Sequence, residues 1–255
     1  VSPPFHVVIP ARFAASRLPG KPLLDLGGRP LIRWVWDCAR ASGAASVIVA
    51  TDDARIEAVA RDFGADVALT SPAHASGTDR IAEVVRARGF GAEEVVVNLQ
   101  GDEPLMPAAI PAAVADALGR QPPCDIATLA VPIDRLEEFL DPSCVKALIG
   151  RDGHALYFSR APVPWPRDHA ARGTPAASPN AWRHIGIYAY RVRSLLAFAA
   201  WPPTPLEATE KLEQLRALEY GMRIHVLTRR EAPPAGVDTP EDLERVRAAV
   251  RLMHA

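Results

Sequence analysis

At 255 residues, 49% of them apolar, the chain can bury one sizeable core with at most a small subdomain. Its 29 basic and 30 acidic side chains nearly cancel, which excludes an acidic tail protein and the bulk basicity of a nucleic-acid binder. Local clusters of charge therefore carry the functional information.

His6–Ile9 reads as a short apolar strand, and the segment FHVVIPARFAASRLPGKPLL leads from it into a loop holding Arg12, Arg17 and Lys21 without an acidic residue. Three cations at the carboxyl end of a first parallel strand call for an anion, and α/β sheets place ligands at that edge. A phosphate ester fits. Neither G-x-G-x-x-G nor G-x-x-x-x-G-K-[ST] occurs here, so side-chain charge stands in for the backbone amides those motifs use. The loop is longer than the roughly 2–6 residues usual for strand-to-helix connections. Pro10, Pro19, Gly20 and Pro22 restrict it, which favours a shaped loop. A solvated basic surface loop is the competing reading.

Pro30–Ser42, Asp53–Phe63 and Thr78–Arg88 carry helical spacing, with Pro30 suited to a first helical position and Gly43 and Gly64 placed as stops. They alternate with the Val- and Ile-rich runs Ser46–Ala50, Asp66–Leu69 and Glu94–Leu99. Alternating β and α elements imply a parallel sheet with right-handed crossovers. Cys38 lies in a helical pattern and reads as a small buried hydrophobe. With Cys124 and Cys144 it forms no C-x-x-C, so neither a zinc site nor a disulfide framework is indicated.

Gln100-Gly101-Asp102-Glu103 emerge at the carboxyl end of the Val95–Val97 strand, at the same edge as the basic loop. Gly101 permits a turn or a close approach of backbone to ligand. Asp102 offers hard oxygens to Mg2+ beside phosphates, or else Asp102 or Glu103 caps a helix after Pro104.

In the second half, Ile126–Pro132, Ala155–Phe158, Ile185–Tyr190 and Arg223–Leu227 read as strands. Arg167–Asn180 is expected to form a mobile loop, and Leu206–Tyr220 one strong helix ended by Gly221. Residues 153–214 offer Arg160, His184, Tyr188, Glu213 and Gln214 for recognising a sugar or an acid; structural hydrogen bonding is the alternative for such polar residues. Pro240–Leu252 is a final helix. Thr239 is its natural N-cap and Asp242 the capping-box partner, which leaves Asp238 outside the cap and placed to share a metal ion with Asp102. No linker is legible in the composition. No apolar run is long enough to span a bilayer, and VSPPFHVVIP has no secretory pattern, so the cytoplasm is the expected compartment.

IPARFAASRLPGKPL, VATDD, SGTDRIAEV, VNLQGDEP, LAVPI, ALYFSRAPVPW, RHIGIYAYR, LEQLRALEYG and GVDTPEDLERVR follow one another in order. From Val7 to about Arg247 the chain thereby resembles the 3-deoxy-manno-octulosonate cytidylyltransferases (CMP-KDO synthetases). R-L-P-G-K-P-L alone would mark only the wider sugar nucleotidyltransferase group. The resemblance implies a Rossmann-like α/β nucleotidyltransferase with a mostly parallel central sheet flanked by helices and a smaller mixed α/β subregion for the acceptor and dimerisation. It implies a single domain over 1–255, with a nucleotide-binding half at about 1–125, an acceptor and dimerisation region at 126–235, and a metal-ligand loop and C-terminal helix at 236–255.

The same resemblance implies that Arg12 and Lys21 hold the CTP phosphates. Pro10, Ala11, Ser76 and Gly77 would line the nucleotide site, and Asp102 and Asp238 would bind Mg2+. Arg17, Gln100, Arg160, His184, Tyr188, Glu213 and Gln214 would surround 3-deoxy-D-manno-octulosonate (KDO). The expected product is CMP-KDO for lipopolysaccharide biosynthesis, made by a homodimer. A CMP-sialate synthetase would share the R-L-P-G-K loop but differ at RHIGIYAYR and LEQLRALEYG. An enzyme for 8-amino-8-deoxy-KDO differs in its substrate by one hydroxyl-to-amine change. A non-catalytic nucleotide sensor should lose the acidic ligands or the basic loop, and a dinucleotide oxidoreductase would need the Gly-rich turn missing here.

Overall fold

Strand β1, Phe5–Ala11, runs through the middle of the molecule, and its Val7, Val8 and Ile9 have no exposed surface. Val7 and Ile9 face one apolar cluster and Val8 the other, so a near-continuous apolar run is what this strand requires. The computed structural model describes residues 4–14, 18–119, 123–167 and 180–253. Arg17 and positions 168–179 of the expected loop lie outside the described residues.

After β1 the chain makes a 3-10 turn at Lys21–Leu23 and a small hairpin of β2 (Asp25–Leu26) and β3 (Arg29–Pro30). The sheet then gains β4 (Ser46–Thr51), β5 (Asp66–Leu69), β6 (Val95–Asn98), β7 (Ile126–Pro132), β8 (Lys146–Ile149), β9 (Ala155–Ser159), β10 (Trp182–Arg191) and β11 (Ile224–Thr228). Its order is β11-β7-β10-β6-β1-β4-β5, with β8 pairing to β10 and β9. β10 is antiparallel to both β6 and β7, while the other neighbours along this path are parallel. The carboxyl ends of β1, β4, β6, β7 and β11 and the start of β10 therefore share one edge.

Helices cover both faces. Leu31–Ala41, Ala109–Ala117 and Pro240–Met253 bury apolar residues on the face of Val7, Ile9 and Val97. Gly77–Ala87 and Val192–Ala200 pack on the face of Val8 and Val96. Pro30 is the N-cap of the Leu31–Ala41 helix, not its first residue. Gly43 and Gly64 take positive φ (80° and 86°) just past their helices, as expected of stops. No helix among the described residues is long and apolar enough to cross a membrane.

The expected single helix Leu206–Tyr220 is two short ones, Pro205–Glu210 and Gln214–Glu219, parted at Lys211, whose φ is 54°. The cause is distant in sequence. Arg160 donates from Nε to the Glu210 carbonyl at 2.7 Å and from Nη2 to the Lys211 carbonyl at 3.5 Å, occupying acceptors that a continuing helix would use. β10 is also longer than expected, starting at Trp182, and its register with β7 shifts between Ile185 and Tyr188. Such an irregularity beside a ligand edge re-aims side chains.

Candidate active site

Lys21 stands on a turn held by backbone bonds: Gly20 N to Phe13 O at 2.9 Å, and Leu23 N to Gly20 O at 2.8 Å. Its Nζ donates to Asp102 Oδ2 at 2.9 Å and to Asp238 Oδ1 at 3.0 Å. The two aspartates singled out by their sequence positions thus converge on one cation. Burial opposes the lysine charge, but the two carboxylates outweigh it and raise the Lys21 pKa above its ordinary value.

Close backbone contact builds this junction. A Cβ on Gly101 would lie 2.7 Å from the Pro10 carbonyl oxygen, so the turn after β6 can sit against the end of β1 only with glycine there. Gly236 approaches the Asp102 carbonyl equally closely, at 2.9 Å from its would-be Cβ, and Val237 N donates to that same oxygen at 2.9 Å. The next residue is Asp238. Thr239 Oγ1 accepts from Asp242 N at 3.2 Å, and Asp242 Oδ2 accepts from Thr239 N at 3.0 Å, the capping pair read from the sequence. The helix after Pro104 starts only at Ala109 with Ala108 as its N-cap, so neither Asp102 nor Glu103 caps it.

Arg12 is held differently. Its Nη2 donates to the carbonyls of His74 and Ser76, both at 2.8 Å, and Nη1 to Ala75 at 3.4 Å. Burial and the neighbouring Arg80 lower its pKa, the pattern of a cation short of compensating charge. The acceptor loop is clamped by Glu83, which bonds His74 Nε2 and accepts from Ser71 N at 3.0 Å. Ser76 and Asp79 form a capping box at the start of Gly77–Ala87. A cleft of about 300 Å3 lies between these groups, lined by Pro10, Ala11, Arg12, Lys21, Ser76, Gly77, Gln100 and Asp102. All expected nucleotide-site residues line it, and so does Gln100, which was expected at the sugar.

The remaining residues lie just past β9, along β10 and at the split helix. His184 Nε2 is 2.9 Å from Thr128 Oγ1, and its ring is 5.3 Å from that of Tyr188. Burial pushes the His184 pKa down to about 3, so it acts as a neutral hydrogen-bonding group. Glu213 Oε2 accepts from Thr78 Oγ1 at 2.7 Å, and Gln214 is buried next to it. Arg160 bonds the Glu210, Lys211 and Pro142 carbonyls, an engagement fixing the local backbone.

Two features escaped the sequence. Glu103, beside Asp102, has its pKa pushed up to about 8 by burial and then by repulsion from Asp102 and Asp238. Arg80, with no exposed surface, reaches Asp52 Oδ2 at 3.1 Å behind Arg12. The S-x-x-D spacing of Ser76 and Asp79 was the legible signal for a helix start here. A second cavity of about 170 Å3 is lined by Glu103, His184 and Gly236 among others.

Two hard carboxylates sharing one cation fit a divalent ion of the Mg2+ type. Among the described residues no group of three or more His, Cys, Asp or Glu forms a metal-holding cluster, so water and substrate oxygens would complete such a shell.

His184 also sets an expected pH dependence. Its folded pKa is lowered, so its contribution is whole above about pH 6.5, where histidine is neutral in both states, and erodes as pH falls toward about 3. His184→Asn should flatten this loss by about 3 kcal/mol between about pH 7.5 and about pH 4.5. Urea midpoints of both proteins measure it; equal losses would contradict a buried neutral His184.

The sequence profile of the cytidylyltransferase family matches residues 6–224. A 3-deoxy-manno-octulosonate cytidylyltransferase of Aliivibrio fischeri (strain MJ11) is 53% identical over 244 residues, spanning 96% of this chain and 98% of its own. The 3-deoxy-manno-octulosonate cytidylyltransferase 1 of Actinobacillus pleuropneumoniae serotype 5b is 54% identical over 247 residues, spanning 95% and 98%. Among solved structures, a CMP:2-keto-3-deoxy-manno-octonic acid synthetase complexed with CTP superposes with a TM-score of 0.89 at 39% identity, over 98% of this chain and 99% of that one. A 4-diphosphocytidyl-2C-methyl-D-erythritol synthase from Anaerococcus prevotii, 13% identical with a TM-score of 0.61, shares the fold. With its basic cleft and its two aspartates meeting at one sheet edge, the chain belongs to the 3-deoxy-manno-octulosonate cytidylyltransferase (CMP-KDO synthetase) family.

Proposed function

We propose that the protein joins CTP and KDO to give CMP-KDO and pyrophosphate. The observation that carries this reading is the convergence of Asp102 and Asp238 beside the cleft holding Arg12 and Lys21. The anomeric hydroxyl of KDO attacks the α-phosphorus, the bond to the pyrophosphate oxygen breaks, and the hydroxyl proton is released. Phosphoryl transfer of this kind is catalysed mainly by positioning and charge neutralisation. Asp102 and Asp238 would hold Mg2+ together with substrate phosphates, and the ion would supply positive charge at the α-phosphate and acidify the attacking hydroxyl.

Arg12, fixed by three backbone carbonyls, presents its charge to the departing pyrophosphate together with Lys21. Pro10, Ala11, Ser76 and Gly77 shape the nucleotide cleft. Gln100, Arg160, His184, Tyr188, Glu213 and Gln214 are assigned to KDO, His184 as a neutral hydrogen-bonding group and Arg160 through the backbone it fixes. The nucleotide half ends near residue 125, the acceptor region covers 126–235, and 236–255 carries the second metal ligand. Lipopolysaccharide biosynthesis in the cytoplasm is the setting this product fits.

Pyrophosphate release from CTP tests the reaction: KDO should support it, and failure with KDO but turnover with a sialic acid or 8-amino-8-deoxy-KDO would reassign the acceptor. Lys21→Ala should raise the CTP KM about tenfold or more and leave the KDO KM nearly unchanged. Equal increases for both substrates would contradict its phosphate role.

The protein is also proposed to be a homodimer. Leu140, Leu156 and Trp165 are large apolar side chains left 49%, 68% and 61% exposed, surface that a second copy would cover. Sedimentation at micromolar concentration checks this, and a monomer would contradict it.

A further inference from the structure

Lys21 bonds the two carboxylates that a bridging ion would use. Its Nζ lies 2.9 Å from an oxygen of Asp102 and 3.0 Å from one of Asp238, and its side chain is only 12% exposed. A Mg2+ ion shared by the same two carboxylates would sit about 2.1 Å from its oxygens. The ammonium already uses one oxygen of each carboxylate and repels a divalent cation brought to the same pair, so the two compete for this seat.

The turn under Lys21 does not need to move for the lysine to leave. Leu24 N bonds Lys21 O at 3.1 Å and Leu23 N bonds Gly20 O at 2.8 Å, so the backbone is pinned while the four-carbon side chain can rotate. Lys21 also lines the nucleotide cleft, together with Arg12. A triphosphate entering that cleft brings the competing anion that can draw the ammonium away.

We propose that Lys21 is a built-in plug of the metal seat, which holds Asp102 and Asp238 closed to divalent ions until a nucleoside triphosphate pulls its ammonium onto the phosphates. This rests on the reading that these two aspartates are the metal ligands. The plug makes divalent-ion binding depend on nucleotide and couples the two ligands positively. By linkage the ion then strengthens nucleotide binding by the same factor. Lys21 accordingly acts with opposite sign on its two ligands: it aids the triphosphate and opposes the free ion.

Mn2+ is the probe, its free fraction read by electron paramagnetic resonance without nucleotide and then with CTP. Without nucleotide, Lys21→Met and Lys21→Gln should each bind Mn2+ at least tenfold more tightly than the unaltered protein, while binding CTP more weakly. Arg12→Met should bring no such gain, since Arg12 touches neither aspartate. Adding Asp238→Asn to Lys21→Met should abolish the gain. Thermal melts establish that each variant is folded, and the two substitutions at Lys21 guard against one failing. Equal nucleotide-free Mn2+ binding by the unaltered protein and both Lys21 variants overturns the plug and leaves the metal ligands standing. A gain that survives Asp238→Asn, or CTP-dependent Mn2+ binding untouched by Asp238→Asn, overturns the ligand assignment itself.

Discussion

Asp102→Asn and Asp238→Asn should each lower turnover about 100-fold or more while leaving the protein folded. Asparagine keeps the size and one oxygen of aspartate but removes the charge that a divalent ion and its bound phosphates require. The fold should tolerate the change because each pair with Lys21 is partly solvated, Asp102 being 33% and Asp238 54% exposed, and such pairs contribute little, on the order of 1 kcal/mol. Neutralising Asp102 also removes a repulsion on buried Glu103. Pyrophosphate release at ordinary Mg2+ concentration, read beside a thermal melt, separates the two effects. Partial recovery at high Mg2+ is expected, since one carboxylate remains. Turnover close to that of the unaltered protein in either variant would remove the metal assignment.

Gly101→Ala should be nearly as damaging, through geometry and not through charge. The new methyl would meet the Pro10 carbonyl oxygen at 2.7 Å, a backbone atom that no rotamer change can move. Either the end of β1 parts from the turn after β6, or that turn shifts and carries Gln100 and Asp102 with it. Overpacking of this kind costs about 1–3 kcal/mol. A displacement of about 1 Å at a reacting centre costs about 100-fold in rate. Urea midpoints and turnover measure both, and a variant unchanged in each would show that the close approach is not needed for function.

The first half of the fold was legible because β1, β4 and β6 are buried on both faces and read as short apolar runs. His6–Ile9, Ser46–Ala50, Asp66–Leu69 and Glu94–Leu99 each fall within a residue or two of β1, β4, β5 and β6. β8 was not legible, since its first residue is Lys146, a fully buried lysine whose ammonium is satisfied by the carbonyls of Asp141 and Cys144. A charge inside a strand hides the apolar signal. The helices Ala109–Ala117 and Val192–Ala200 are alanine-rich and carry little polar contrast, so their periodicity is weak. The break at Lys211 depends on Arg160, about fifty residues earlier, and no local propensity encodes it.

In the site, cap logic at Thr239 and Asp242 identified Asp238, and strand polarity placed Asp102 at the same edge. What remained hidden was side-chain partnership. Lys21 and Arg12 were read together as phosphate cations, yet one rests on two carboxylates and the other on three carbonyls. The neutral state of His184 follows from enclosure that no sequence pattern reports.

Crystals grown with CTP and Mn2+, with data collected at the manganese absorption edge, place the ion without reference to activity. The expected anomalous peak lies between Asp102 and Asp238, about 2.1–2.3 Å from an oxygen of each, with Lys21 turned onto the phosphates. Peaks confined to the phosphates, with both aspartates still bonded to Lys21, would contradict the account.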